Sequence, residues 1–283
     1  MLHRIFFIIS LFLFSLHSYA EEPADPSRVA EVRQRIEESL KSELAAKGLN
    51  FGSKIYIRTF KVGQAKGGKL VNLGDNHEYY NNEGAVEVWV DAGNGKYKLF
   101  KSYVVCLFSG HLGPKLRSGD YQNPEGFYKV ALFNPASNYH LSMNVGYPNA
   151  FDQAHGYTGS AIMIHGNCKS VGCLAMTDAK IEEIYLLAWQ AHLRGQSDIP
   201  IHMFPFPMTN ANMAEHSHNR NAAFWSQLKP AYDIFEKDRR PPMVDVEDGS
   251  YIVKAAEPAA HKVKPVSEED SVEQEDAKAA GAK

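Results

Sequence analysis

Cysteine is scarce in this chain, three among 283 residues, and two of the three fall in the ten-residue stretch "IHGNCKSVGC", residues 164–173. An odd number cannot pair completely within one chain, so at least one thiol stays free or pairs elsewhere. The paired C-x-x-C spacings of structural zinc modules are absent. Basic clusters with interleaved aromatics are also missing, and with 30 Lys and Arg against 33 Asp and Glu the formal charge is only -3. The electrostatic footprint of a nucleic-acid binder is therefore lacking, and no nucleic-acid partner is expected. No apolar run reaches the roughly 20 residues of a membrane span, and no internal repeat is visible.

The apolar run that is present, Ile5 to Phe14, follows His3 and Arg4 and precedes Ser18 and Ala20, small residues at the −3 and −1 positions of a cleavage site. This is the pattern of a secretory signal peptide over residues 1–20, cut after Ala20. No cysteine lies near the site, so a lipid anchor on cysteine is not indicated. The mature protein is expected outside the cytoplasm with no stable membrane insertion, in an oxidising compartment where exposed thiol pairs tend to close.

With 44% hydrophobic residues the chain can bury a sizeable core. Residues 26–48 place Val29, Val32, Ile36, Leu40 and Leu44 at helical spacing before Gly48, an N-terminal helix that either packs on the domain or binds a partner. From Phe51 the pattern turns to strands, with a hairpin signal around Asp91–Gly95 and further candidates in "GFYKVALF", "HLSMNVGY", "SAIMIHG" and "IPIHMFPF". Their loops are rich in Gly, Pro and Asn, which predicts a mainly antiparallel β domain. "TDAKIEEIYLLAWQAHLRG" reads as a helix capped by Thr177 or Asp178, with Ile181, Ile184, Ala188 and Ala191 on its packing face. A second helix about residues 221–237 and a hairpin in "MVDVEDGSYIV" follow. Residues 255–283 lack aromatics and mix Ala, Glu, Lys and Pro, a composition expected to stay disordered.

Three chemistries fit the opening stretch. As a nucleophile, Cys173 would be served by His165 across the loop 166–172, since imidazole can take the proton of a thiol that is otherwise a few per cent ionised at neutral pH. The N–H groups of Gly172 and Cys173 are then natural oxyanion donors, and the Gly166 carbonyl a candidate to orient the imidazole. As a zinc site, His165, Cys168 and Cys173 would need a fourth ligand such as His155. As a disulfide, Cys168 with Cys173 would silence the nucleophile, whereas Cys106 with Cys168 would leave it free. Cys106 as a small buried hydrophobe remains the alternative.

"SAIMIHGNCKSVGCLAM" resembles the catalytic motif of the L,D-transpeptidase catalytic domain, the YkuD family, in which a histidine on "IHG" serves a cysteine in an "SHGC" element. Upstream, "SGHLGPKLRSGDYQNPEGFYKV" is similar to that family's "GD...TPEG.F" segment. The shortened loop, "GYPNAFDQAHGYTG", "PFPMTNANMAEH" and "FWSQLKPAYDIFE" resemble its YafK-like branch, and the resemblance covers roughly Ser53 to Val253. It implies a YkuD-type, β-sandwich-like catalytic domain, mainly β with helices, and a C-terminal α/β extension. The boundaries it suggests are 21–50 for the N-terminal helical segment, 51–206 for the catalytic domain and 207–254 for the helical and hairpin extension.

By the same resemblance Cys173 is the nucleophile, His165 the general base, Gly166 the carbonyl that steadies it, and Ser170 and Gly172 the oxyanion turn. His155, Asp152, Lys115, Arg117 and Tyr147 are candidate substrate contacts, with the two basic residues suited to a carboxylate. No metal or other cofactor is implied. Val171 stands where typical members carry a second histidine. The function implied is that of a periplasmic peptidoglycan amidase that cuts the amide between meso-diaminopimelate and the C-terminal lysine of an attached outer-membrane lipoprotein; a monomer is the default expectation. A transpeptidase or carboxypeptidase on the same fold, or a noncatalytic wall-binding module, are the alternatives.

Overall fold

A computed structural model describes residues 25–62, 69–71, 79–81 and 84–257. The signal peptide, most of the acidic tail and part of the polar loop 76–84 lie outside the described residues. In chain order the elements are α1 (Ser27–Ala45), β1 (Ile55–Phe60), β2 (Lys69–Val71), β3 (Tyr79–Asn81), β4 (Ala85–Asp91), β5 (Tyr97–Val104), β6 (Leu107–Ser109) and β7 (Gly126–Lys129). Then follow β8 (Leu132–Ser137), β9 (His140–Asn144), α2 (Ala150–Ala154), β10 (Met163–His165), β11 (Leu174–Ala175), α3 (Asp178–Leu193) and β12 (Pro200–Phe204). The chain continues with α4 (Asn210–Glu215), α5 (Ala222–Asp238), β13 (Met243–Glu247) and β14 (Ser250–Lys254).

The strands form two main sheets, β5-β4-β1-β12-β7 and β2-β3-β6-β11-β10-β9-β8, with β13 and β14 as a separate hairpin. The architecture is thus mixed α/β with two main sheets whose pairing is mainly antiparallel, as expected, with more helix than a mainly β domain implies. Most pairings are antiparallel, but β1 runs parallel to β12 and β10 parallel to β11. Loop composition cannot reveal these pairs, because parallel partners are joined through long or crossover connections rather than tight turns. The β10–β11 crossover is only the loop 166–173, short enough because the strands it joins are three and two residues long.

Helix α3 carries buried side chains on more than one face: Ile181, Ile184, Ala188 and Ala191 as expected, and also Tyr185, Leu186 and Leu187. It is therefore an internal helix, packed against β9 and β10 on one side and α1 on another. Its N-terminal residue Thr177 makes no side-chain cap bond; the Asp178 carboxylate instead accepts the Asn167 N–H at 2.7 Å, so the helix start is spent on holding the loop after His165. The apolar stripe of α1, Val29, Val32, Leu40 and Leu44, is buried in the same core. The N-terminal helix is thus packed on the domain. Fully burying each such side chain contributes about 1.5–3 kcal/mol before entropic losses.

A second core joins the C-terminal extension to the first sheet. Trp225, Leu228, Ala231 and Tyr232 of α5 pack with Phe60 of β1, Phe204 of β12, and Tyr251 of β14. The short helices α2 and α4 had no periodicity to announce them; α2 is five residues long and is defined by a capping box between Asn149 and Asp152.

Candidate functional site

The site is built where β10 and β11 run side by side. Their parallel register pairs Ile164 with Leu174 and His165 with Ala175, which sets Cys173 beside Met163 at the head of β11. Cys173 immediately precedes β11, two residues before the Ala175 that pairs with His165. Strand spacing and rise put the Cys173 and His165 backbones about 8 Å apart diagonally, within reach of side-chain contact.

His165 is buried, and its Nδ1 lies 2.7 Å from the Gly166 carbonyl. That carbonyl takes the Nδ1–H, which leaves the lone pair on Nε2. Burial lowers the imidazole pKa, and the Gly166 carbonyl opposes this only in part. The Tyr139 ring covers the imidazole with centroids 4.8 Å apart. Gly166 leaves no room for a side chain, since a Cβ there would lie 2.5 Å from Asp178 Oδ1 and 3.1 Å from both His140 Cβ and Ile181 Cγ2.

Cys173 is the free cysteine and is half-buried. Its Sγ accepts the Met163 N–H at 3.4 Å, and its S–H points to the Ala161 carbonyl at 3.7 Å. Burial pushes the thiol pKa up, while the Met163 N–H and the Lys115 ammonium pull it back in part. Burial thus favours the neutral form of each, a thiol at Cys173 and an uncharged imidazole at His165.

The other two cysteines, Cys106 and Cys168, form a disulfide with Cα atoms 5.4 Å apart. Their backbone N–H groups donate to the Ala175 and Met176 carbonyls, so the bridge holds the nucleophile loop over β11. Cys168 is then not available as a thiolate, which removes the zinc arrangement weighed for this stretch.

The oxyanion turn differs from the simple expectation. Cys173 N–H donates to Ser170 Oγ at 2.9 Å, Ser170 Oγ–H donates back to the Cys173 carbonyl at 2.7 Å, and Gly172 N–H donates to Ser109 Oγ at 2.7 Å. Both candidate amides are engaged by serine hydroxyls in this state. Gly172 sits at φ +89°, where a side chain is strained, although the space around it is open, with the nearest atom 3.8 Å from a hypothetical Cβ. Backbone conformation, not crowding, demands glycine there.

The basic loop upstream is laced tightly. Lys115 is buried, its ammonium against the Asp120 carboxylate and the Arg117 carbonyl and 5.8 Å from the Tyr147 ring centre. Burial pushes the Asp120 carboxyl up, but the backbone N–H groups around it and Lys115 outweigh this and hold it below the usual range. Tyr147 is buried and donates to the Lys115 carbonyl at 3.2 Å, so it acts as a wall for Lys115. Arg117 is exposed and, with Asp120, Gln122, Arg220 and Tyr157, lines a cleft of about 610 Å³. Gln122, which lines this cleft, has its carbonyl oxygen 3.8 Å from where a Cβ on Gly172 would lie.

Asp152 and His155 are placed differently. Asp152 is buried, closing the α2 capping box and accepting the Tyr128 hydroxyl at 3.0 Å. His155 bonds the Phe151 carbonyl at 2.9 Å, stacks on Phe151 and meets the β13–β14 turn at Gly249. Both serve the second core as the structure stands. A larger cavity of about 770 Å³ lies between β7, β12 and β13, and neither Cys173 nor His165 lines it.

Sequence reasoning missed Ser109, Tyr139 and Glu125. Glu125 is fully buried and takes the Gly113 N–H at 2.7 Å, the Lys61 ammonium at 2.9 Å and the Trp225 indole N–H at 2.7 Å, which fixes the loop that carries Lys115. Its place in "NPEG" was the available signal; Ser109 and Tyr139 had none, being brought to the site by sheet pairing.

Residues 69–188 match the family model described as the L,D-transpeptidase catalytic domain, YkuD. The chain is 37% identical over 264 residues to "Putative L,D-transpeptidase YafK" of Escherichia coli strain K12, covering 93% of this chain and 94% of the relative. The same figures hold for the protein of that name in E. coli O157:H7. Among solved structures, the helical cell shape determining protein Pgp2 of Campylobacter jejuni (K307A mutant) aligns at 17% identity and TM-score 0.37, covering 76% of this chain and 68% of that one. Bdellovibrio bacteriovorus Bd1075 aligns at 18% identity and TM-score 0.35, covering 63% of this chain and 56% of that one. No helix of the described residues is long and apolar enough to cross a membrane.

Proposed function

Because this chain belongs to the YkuD L,D-transpeptidase family, whose enzymes act on peptidoglycan, we propose that it is an envelope cysteine amidase with Cys173 as nucleophile and His165 as base. Its substrate is the amide joining meso-diaminopimelate of the wall peptide to the C-terminal lysine of an attached outer-membrane lipoprotein. The observation that supports the catalytic part is the parallel β10–β11 register, which sets the free Cys173 one step diagonally from His165, whose Nδ1 is tied to Gly166 O while the remaining cysteines are locked in a disulfide.

In this reading the thiol proton passes to His165 Nε2 as Sγ attacks the amide carbon, and the imidazolium is stabilised through Nδ1–H and the Gly166 carbonyl. His165 then gives the proton to the leaving amine nitrogen, the C–N bond breaks, and a thioester remains on Cys173. Water, deprotonated by the again neutral His165, attacks the thioester; the thiol regains a proton and the carboxylate product leaves. The negative oxygen formed in both steps takes the Cys173 N–H in place of the neutral Ser170 hydroxyl, a favourable exchange because hydrogen bonds to a charged acceptor are roughly twice as strong.

Lys115 contributes positive charge beside the thiol, and Arg117 with Arg220 in the adjoining cleft suits the carboxylates of a stem peptide. Val171, replacing the second histidine of the usual motif, is an exposed apolar side chain on the nucleophile loop and supplies no base or donor for an incoming amine. That supports water over an amine as acceptor.

The test incubates mature protein with sacculi carrying attached lipoprotein and with free tetrapeptide muropeptides. Lipoprotein release that is lost in Cys173→Ala, with no new cross-links, supports the amidase. Cross-linked dimers or tripeptide products would assign transfer or carboxypeptidase activity instead, and release or wall binding unaffected by Cys173→Ala would remove the catalytic reading.

A further inference from the structure

Helix α1 bears on the site at second hand. Arg28 Nη1 donates to the carbonyls of Pro135 (3.1 Å), Ser137 (3.0 Å) and His140 at the β8–β9 turn. Arg35 grips Glu182 of α3 with both terminal nitrogens at 2.8 and 2.7 Å, and Glu182 Oε1 lies 2.8 Å from His140 Nε2. Burial pushes the Glu182 carboxyl up, but Arg35 and His140 outweigh this and hold it below its usual range. His140 itself sits at φ +69°, a left-handed conformation that a non-glycine residue keeps only when its surroundings enforce it.

This turn in turn holds the imidazole. The Tyr139 and Leu141 carbonyls both accept the Gly166 N–H, at 3.0 and 3.2 Å, and His140 Cβ occupies the space beside Gly166. The Gly166 carbonyl takes His165 Nδ1–H, and the Tyr139 ring lies over His165. We propose that α1 is a positioning element for the base, with Arg28 and the Arg35–Glu182–His140 chain fixing the Ser137–Leu141 turn so that Gly166 and Tyr139 orient His165 and shield it from water.

The inference rests on His165 being the base, but its geometry can be read without substrate. The titratable and charged groups around His165 are Tyr139 on the turn and Cys173 at the head of β11. Behind Gly166 stand Asp178, His140, Glu182 and Arg35, and Lys115 acts on Cys173. The lowered His165 pKa comes from burial, which the Gly166 carbonyl opposes in part, and no charged side chain contributes. Loosening the turn admits water and moves the titration up toward the ordinary 6.5.

The experiment follows the His165 imidazole by NMR against pH in wild type, Arg28→Ala, Arg35→Ala, Tyr139→Ala and Arg33→Ala. Arg33 is the control, since it lies on the same helix but pairs with Asp25, with Glu37 and with Gln190 of α3, none of them on the turn. Arg28→Ala, Arg35→Ala and Tyr139→Ala are expected to raise the His165 midpoint, and Arg33→Ala to leave it in place. In the lipoprotein-release assay Arg28→Ala lowers kcat about tenfold or more with KM unchanged, the signature of a misplaced catalytic group. The proposal is overturned if Arg28→Ala and Arg35→Ala keep the wild-type midpoint, or if Arg33→Ala shifts it equally, which would mean general loosening of α1. Should Arg28→Ala not fold, Arg35→Ala decides. A protein inactive on sacculi that still shows the selective midpoint shift would count against the amidase assignment and leave the positioning role standing.

Discussion

The protonation state of the resting pair gives the sharpest quantitative test. Cys173 is the one free thiol, so iodoacetamide reports it alone. Its pKa is raised above the ordinary 9.0 by burial, against the smaller pulls of Met163 N–H and Lys115, and His165 is lowered below 6.5 by burial. A thiol titrating at 9.0 is about 1% thiolate at pH 7, and Cys173 lies below that; a cysteine paired with an imidazolium, at about 3.5–7.5, would be largely ionised. The alkylation rate of the free enzyme should therefore climb close to tenfold from pH 7 to 8 and by about fivefold or more from pH 8 to 9, without a plateau. His165→Ala should leave that curve in place while reducing turnover by a factor on the order of 10²–10⁴. A plateau with an inflection between pH 6 and 8 that disappears in His165→Ala would refute the neutral-pair argument and indicate a preformed thiolate–imidazolium.

Other consequences are accessible to simple measurements. Gly172→Ala places a side chain at φ +89° and should cost about 1–2 kcal/mol, read as a lower Tm, with a larger relative loss of activity because Cys173 N–H follows in the chain. Reducing the Cys106–Cys168 bridge opens a link between residues 62 apart and should destabilise by about 2–4 kcal/mol, measured by denaturant unfolding of the Cys106→Ala/Cys168→Ala variant. Asp152 has its pKa raised to about 6 by burial despite the Asn149 and Tyr128 hydrogen bonds. A carboxyl raised in the folded state favours folding while protonated, so its contribution is full below the unfolded value near 4 and is lost as pH climbs through about 6. Relative to Asp152→Asn, wild type should lose Tm between pH 4 and 7; a flat difference would contradict this.

Much of the site was legible because its chemistry is local. His165, Gly166, Ser170, Gly172 and Cys173 lie within nine residues, and glycine, histidine and cysteine at those spacings have few other uses. The helices α1, α3 and α5 were legible from apolar periodicity, which records a helix's buried face. What periodicity cannot record is how many faces are buried, and α3, covered on several, was read as packing on one. Nor could it indicate that Asp152 and His155 are spent on α2 and the aromatic core, since polar residues near a motif look alike whether they face substrate or cap a helix.

The sequence alone determined the family and singled out Cys173 and His165 as the candidate nucleophile and base, because those depend on residue identity along a short stretch. Only the tertiary structure decided that β10 and β11 run parallel, which sets Cys173 diagonally from His165. It also decided that Cys106 closes on Cys168, that Ser109 and Tyr139 reach Gly172 and His165 from remote positions, and that Arg28 of α1 bonds the β8–β9 turn behind them. The physical reason is the same in each case: strand register, disulfide pairing and cross-element hydrogen bonds are agreements between segments far apart in the chain, and no single segment carries them.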